Sequence, residues 1–145
     1  MSRFLTLMVL ALAVTATLAE AKAKRLHVTA QVVQQAPFDF AHPQLGDQLI
    51  TSVVLRDEDN VEVGTGTGTC TVVSVQPLPT RLQCLLSAVF TEGQIIFGGV
   101  APLPATGVVA QFGIMGGTDD FSKARGEATL TVLSPALQDA VFDLE

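Results

Sequence analysis

Few side chains in this sequence could do chemistry, and most of them stand apart from one another. Asp119, Asp120 and Arg125 share one stretch, Ile114-Met115-Gly116-Gly117-Thr118-Asp119-Asp120-Phe121-Ser122-Lys123-Ala124-Arg125-Gly126-Glu127-Ala128-Thr129-Leu130. Gly116-Gly117 breaks one apolar segment, Asp119-Asp120 occupies the connection, and Ala124-Arg125-Gly126 starts the next segment. A carboxylate and a guanidinium across a short turn can pair, or the aspartates can order the turn by accepting backbone N–H groups. Cys70 and Cys84 are the two cysteines, and His27 and His42 the two histidines. The histidines lie in different segments, unpaired with the cysteines, so neither a metal site nor a cofactor is expected. Gly64-Thr65-Gly66-Thr67-Gly68-Thr69 lacks the lysine of a phosphate loop and the glycine spacing of a dinucleotide fingerprint. It reads as a strand with glycines on one face and threonines on the other. No serine sits in a nucleophile elbow, so no hydrolytic triad is visible.

Whatever these groups do, one small domain must position them. The chain has 145 residues, 48% hydrophobic and 15% charged, with a net charge of −6. That length allows a single domain with a real core. The acidic balance repels phosphate backbones, which excludes nucleic acid as the expected partner. The hydrophobicity is too high for disorder. Trp and Tyr are absent, so the 8 Phe supply every aromatic ring.

The first residues read as an export signal. Met1-Ser2-Arg3 is a short positive start, Phe4 to Leu18 is almost unbroken apolar sequence, and Ala19-Glu20-Ala21 is a small-x-small triplet. About 15 apolar residues fall short of the roughly 20 that a spanning helix requires. Cleavage is expected after Ala21, or after Ala23 if Ala21-Lys22-Ala23 is used. The mature chain is then a secreted, soluble domain over residues 24–145, with no membrane partner. In an oxidising compartment Cys70 and Cys84 are expected to form a disulfide. The turn Gln76-Pro77-Leu78-Pro79-Thr80 lies midway between them. A hairpin folded about Pro77–Leu78 sets Cys70 opposite Cys84, Gly68 opposite Leu86, Gly66 opposite Ala88 and Gly64 opposite Phe90.

The remaining sequence is a series of β-rich segments cut by turn residues. Strands are expected over Lys24–Gln34, Gln48–Arg56, Val61–Val75, Arg81–Thr91, Gln94–Val100, Val108–Met115, Arg125–Leu133 and Gln138–Leu144. Glu92-Gly93 is a two-residue hairpin turn. Eight evenly spaced strands with no convincing helix in the mature chain predict an all-β fold, a single eight-stranded antiparallel barrel. Such a barrel is filled by side chains or holds one small ligand.

The stretch Gly116-Gly117-Thr118-x-Asp120-Phe121-x-x-Ala124-Arg125-Gly126 resembles the signature of dirigent proteins, which share their barrel with allene oxide cyclases. Gly46-Asp47, Val63-Gly64, Cys70, Cys84, Gly93-Gln94-Ile95 with Gly98, and Val141-Phe142-Asp143-Leu144 extend the likeness across the mature chain. The resemblance implies a cavity that binds a small hydrophobic molecule, phenolic or lipid-derived, and steers its coupling or cyclisation. It implies catalytic roles for Asp120 and Arg125, a second cavity carboxylate at Asp39 or Asp47, and trimers. A carboxylate in an apolar cavity has a raised pKa and can pass protons to a quinone methide, while a guanidinium can orient a phenol. The chain is shorter than plant dirigent proteins and has no tyrosine to line a cavity. Strand alternation also sets Arg125 with Glu127, Thr129 and Thr131, opposite Ala128, Leu130 and Val132. Arg125 is therefore expected to point outward unless Gly126 carries a bulge. The rival expectation is a non-catalytic secreted barrel that binds a lipophilic ligand or assembles with itself.

Overall fold

A computed structural model describes residues 24–145. The signal-peptide reading falls on residues 1–23 and lies outside the described residues. Eight strands follow in order: β1 Lys24–Gln35, β2 Gln48–Arg56, β3 Glu62–Ser74, β4 Arg81–Phe90, β5 Gly93–Pro102, β6 Val109–Gly117, β7 Gly126–Ser134 and β8 Leu137–Leu144. Each pairs antiparallel with its neighbour in sequence, and β8 returns to pair with β1 from Lys24↔Leu144 to Gln31↔Leu137. The result is a closed eight-stranded antiparallel barrel, the fold expected from the strand pattern. Closure removes the unpaired sheet edges that invite aggregation. Among the described residues the helical content is one 3-10 turn, Asp119–Phe121.

The period-two alternation does what a half-buried strand requires. On β1 Val28 and Ala30 are buried, on β4 Leu82, Cys84 and Ala88, and on β8 Ala140, Phe142 and Leu144. The β3–β4 register pairs Cys70 with Cys84, Gly68 with Leu86, Gly66 with Ala88 and Gly64 with Phe90, as the hairpin predicts. The two cysteines form a disulfide. The glycine face of β3 points inward, and the room it leaves is taken by Val53, Leu86 and Phe90.

The barrel has two unlike ends. The connections 36–47, 75–80, 103–108 and 135–136 crowd one, called here the loop end. Residues 24 and 145 lie at the other, the termini end, with the connections 57–61, 91–92 and 118–125. Phenylalanines fill the barrel from the termini end inward. Phe121 meets Phe90 at 6.0 Å between ring centroids, Phe90 meets Phe142 at 6.4 Å, Phe142 meets Phe97 at 5.1 Å, and Phe97 meets Phe112 at 6.1 Å. The last three pairs are edge-to-face, the geometry that ring quadrupoles favour. This ladder leaves apolar room toward the loop end, while at the termini end a cleft of about 350 Å³ opens between Lys24, Leu26, Glu62, Phe90 and Phe121.

Candidate functional site

Aliphatic inward residues succeed the phenylalanine ladder as the barrel approaches the loop end. A chamber of about 80 Å³ opens there, walled by Leu49, Leu82, Ala101, Ala110, Phe112 and the Cys70–Cys84 disulfide, among others. A second void of about 50 Å³ lies deeper, between Ala30, Val53, Leu55, Phe97 and Phe142. The two share Thr51, Leu86, Leu130 and Gln138 as wall residues and so lie next to each other in the barrel interior. Pro102 at the end of β5, with Pro104 and Val108 of the β5–β6 connection, borders the mouth of the chamber.

The chemistry of this space is simple. None of its wall residues is Asp, Glu, Lys, Arg or His. Thr51 falls on the inward series Leu49-Thr51-Val53-Leu55 of β2, and Gln138 on the inward series Gln138-Ala140-Phe142-Leu144 of β8. A hydroxyl and an amide on an apolar wall can hydrogen-bond one oxygen of a ligand and so fix its orientation. They cannot exchange protons near neutral pH. Sequence reading passed over both residues. The available signal was that each interrupts an otherwise apolar face, which a polar side chain does only with a hydrogen-bonding reason.

The residues singled out from sequence lie elsewhere. Asp120 and Arg125 belong to the β6–β7 connection at the termini end, opposite the chamber. Both are exposed, and no ion pair joins them among the described residues. The Asp120 N–H donates to the Glu92 carbonyl, and the Arg125 carbonyl accepts from the Glu145 N–H. Arg125 and Glu127 are exposed while Ala128 is buried, the facing that strand alternation expects.

The signature stretch instead builds the floor of the barrel. Phe121 and Ala124 are buried beneath the strands, with Phe121 against Phe90. The Thr118 hydroxyl accepts the Gln94 N–H at 3.1 Å, and its own N–H donates to the Gln94 carbonyl at 3.0 Å. Only glycine fits at 117, where a Cβ would collide with the Gln94 carbonyl, and at 126, where φ is +126° and a Cβ would strike the Asp143 carbonyl.

Asp39 and Asp47 order the β1–β2 loop and line neither void. Asp39 accepts the Ala41 N–H at 3.0 Å and the His42 N–H at 3.1 Å, and the bond from the His42 N–H leads in holding its carboxyl below the usual value. Asp47 accepts the Gln44 N–H at 2.9 Å. His27 lies on the outer surface, between Glu58 at 3.1 Å and Asp139. The Asp139 carboxylate, then Glu58, holds the imidazole pKa above its ordinary 6.5. Among the described residues no three His, Cys, Asp or Glu side chains cluster as a metal site would require.

Comparison with known proteins matches residues 27–142 to the family described as the allene oxide cyclase barrel like domain. Three solved structures share the architecture. One described as pyocyanin demethylase has 26% identity and a TM-score of 0.72, covering 84% of this chain and 100% of that one. An exo-specific intermolecular Diels-Alderase has 17% identity and a TM-score of 0.70, covering 83% of this chain and 98% of that one. A nonspecific heme-binding cyclase that catalyses a cycloaddition in neoabyssomicin biosynthesis has 18% identity and a TM-score of 0.70, covering 88% of this chain and 66% of that one. The last two likenesses are of fold alone. No curated protein matches by sequence. These findings carry the allene oxide cyclase-like barrel; they do not carry the dirigent assignment within it.

Proposed function

The chain belongs to the allene oxide cyclase barrel-like family, and on that premise we propose that it is an exported barrel that binds a small hydrophobic molecule through the loop end. The observation that supports this reading most is the largely apolar interior wall on which Thr51 and Gln138 border both voids. The two adjacent voids of about 80 and 50 Å³, joined by a rotation of the Leu86 or Leu130 side chain between them, would approach the roughly 150 Å³ that accommodates one benzene ring. The ligand therefore inserts a single ring or a short alkyl end, and its remainder lies at the mouth beside Pro104 and Val108. An oxygen on the inserted part, phenolic or carbonyl, meets Thr51 or Gln138. Export is supported by the leader-like start of the sequence and by the disulfide, which an oxidising compartment keeps intact.

Steering of the bound molecule is the finer part of the proposal. Pyocyanin demethylase and the two cycloaddition enzymes act on small molecules within the same architecture. A coupling or cyclisation that needs only confinement and one or two hydrogen bonds could run on this wall. A step that needs a carboxylate would have to recruit one from outside it.

Titration of the protein with p-cresol and toluene, followed by amide chemical shifts, tests the reading. Both should bind at the loop end. Gln138→Leu should weaken p-cresol about 2- to 12-fold, the loss of one neutral hydrogen bond, while sparing toluene. Ala110→Leu, which puts three more carbons into the chamber, should abolish both. Shifts confined to the termini end, or binding undiminished in Ala110→Leu, would refute the proposal.

A further inference from the structure

The outer surface of the barrel is divided along its axis. The four connections at the loop end hold two carboxylates, Asp39 and Asp47, with His42 and no Glu, Lys or Arg. Those at the termini end hold Asp57, Glu58, Asp59 and Glu92, and four more acidic or basic side chains between Asp119 and Arg125. Apolar side chains take the place of charge at the loop end. Leu45 is 70% exposed on the β1–β2 connection and Leu78 72% exposed on the β3–β4 connection, and Phe40 is exposed as well. Behind these tips runs a girdle of exposed aliphatic residues: Val33, Ile50, Val73, Val100, Val109 and Leu133. They come from six different strands, and each stands within two residues of the loop-end terminus of its strand. At about 3.3 Å per residue, the girdle lies within roughly 7 Å of the strand ends. It is interrupted at β4 and β8, where Arg81 and Asp139 stand at the same level.

We propose that the loop end docks on a zwitterionic lipid surface. Depth, layout and charge select that occupant. Interfacial docking immerses apolar groups by about 5–10 Å, which takes in both the loop tips and the girdle. The apolar side chains stand singly on separate connections and strands around the barrel, not in one groove. A fluid surface accepts each of them independently, whereas a protein partner would need a fitted pocket for every one. The net charge of −6 and the lack of lysine or arginine on the loop-end connections set the barrel against anionic lipid. The uncharged Gln35, Gln48 and Thr106 suit a headgroup layer, which exchanges hydrogen bonds freely. Asp39 and Asp47 already accept N–H groups of their own loop, Asp139 is held by His27, and Arg81 can extend to a lipid phosphate. With no Trp or Tyr to anchor at headgroup level, the docking is shallow and reversible. The expectation of no membrane partner rested on the lack of a spanning segment, and lying on a surface requires none. The chamber mouth opens at this same end beside Pro104 and Val108, so a ligand dissolved in lipid reaches it without crossing water. That last consequence rests on the chamber reading; the docking itself does not.

Flotation with phosphatidylcholine vesicles tests the proposal. Residues 24–145 hold the whole closed barrel and are assayed without the leader, whose apolar run would itself enter lipid. The barrel should float at lipid concentrations on the order of 1 mM, as expected of a reversible apolar anchor. Leu45→Asp and Leu78→Asp should each weaken binding by about tenfold or more, the loss of one immersed leucine, with an unchanged circular dichroism spectrum. Leu85→Asp, at a leucine 57% exposed in mid-barrel, should float like the wild type. Ala110→Leu, which fills the chamber, should float like the wild type too, so docking and chamber binding can fail separately. Replacing about a third of the lipid by phosphatidylserine should weaken flotation at low salt, because barrel and bilayer are then both negative. A wild type that stays in the soluble fraction, a double variant Leu45→Asp, Leu78→Asp that still floats, or tighter flotation on the anionic vesicles would overturn the inference. So would oligomers that form without lipid and dissolve in Leu78→Asp, which would give this end to a second copy.

Discussion

Phe142 is the residue on which the barrel's interior turns. It is 1% exposed and stands edge-to-face with Phe97 at 5.1 Å and with Phe90 at 6.4 Å. It also borders the deeper void of about 50 Å³. Phe142→Ala removes the ring and leaves a cavity that merges with that void. Buried Phe→Ala changes cost about 3–5 kcal/mol, and the upper part of the range applies here because two aromatic contacts are lost with the ring. Closed strands joined by a disulfide cannot collapse to refill the space, which acts in the same direction. For a domain whose whole stability is on the order of 5–15 kcal/mol, this is a large fraction. Urea unfolding should show the midpoint fall with an unchanged slope, since the surface exposed on unfolding barely changes. The new cavity should then take benzene. At ten times its Kd for the enlarged cavity, benzene should add about 1.4 kcal/mol to the variant, and less at the same concentration to the wild type, whose smaller interior voids should hold it more weakly. A loss below about 1.5 kcal/mol would mean that the ring is not the packed centre described above. A full loss without benzene rescue would mean that the interior closes over, contrary to the rigidity argued here.

Three further outcomes follow from the same geometry. Replacing both Cys70 and Cys84 with Ala should lower stability by about 3 kcal/mol, the closure entropy of a loop of roughly 15 residues, and non-reducing mass spectrometry should show the two linked in the wild type. His27 carries a raised pKa, so its contribution is fully present below the ordinary 6.5 and is lost as pH climbs through the raised value. Thermal melts from pH 5 to 9 should show that decline in the wild type and its absence in His27→Gln, with a small amplitude because the site is exposed. Asp120→Asn and Arg125→Ala should each shift stability by less than about 0.5 kcal/mol and add independently in the double variant, as expected of exposed residues without a mutual ion pair. Coupling above that level in urea titrations would place them in contact.

Much of this architecture was legible in the residues. Strand bounds expected from turn chemistry fall within two residues of those observed, because Gly, Pro, Asp and Asn break a period-two pattern wherever they cluster. The β3–β4 register followed from one turn, since a hairpin's register is local: once Pro77–Leu78 is the bend, Cys70 must face Cys84. Alternation likewise sufficed to turn Arg125 outward with Glu127. What alternation cannot supply is depth along the barrel. Phe90, Phe97, Phe112, Phe121 and Phe142 come from five separate segments, and only closure stacks them into one ladder through the barrel interior. The same closure brings Thr51 of β2 and Gln138 of β8 to the wall of one chamber, across strands that share no direct pairing. The glycine-rich signature drew attention because it holds Asp120 and Arg125. Its glycines meet backbone carbonyls of Gln94 and Asp143, contacts far apart in sequence that no local pattern encodes. Secondary structure and register were decided by short-range physics, which the sequence carries openly. Which part of the interior the phenylalanines fill, and where an apolar void is left for a ligand, was decided by contacts that exist only after β1 and β8 meet.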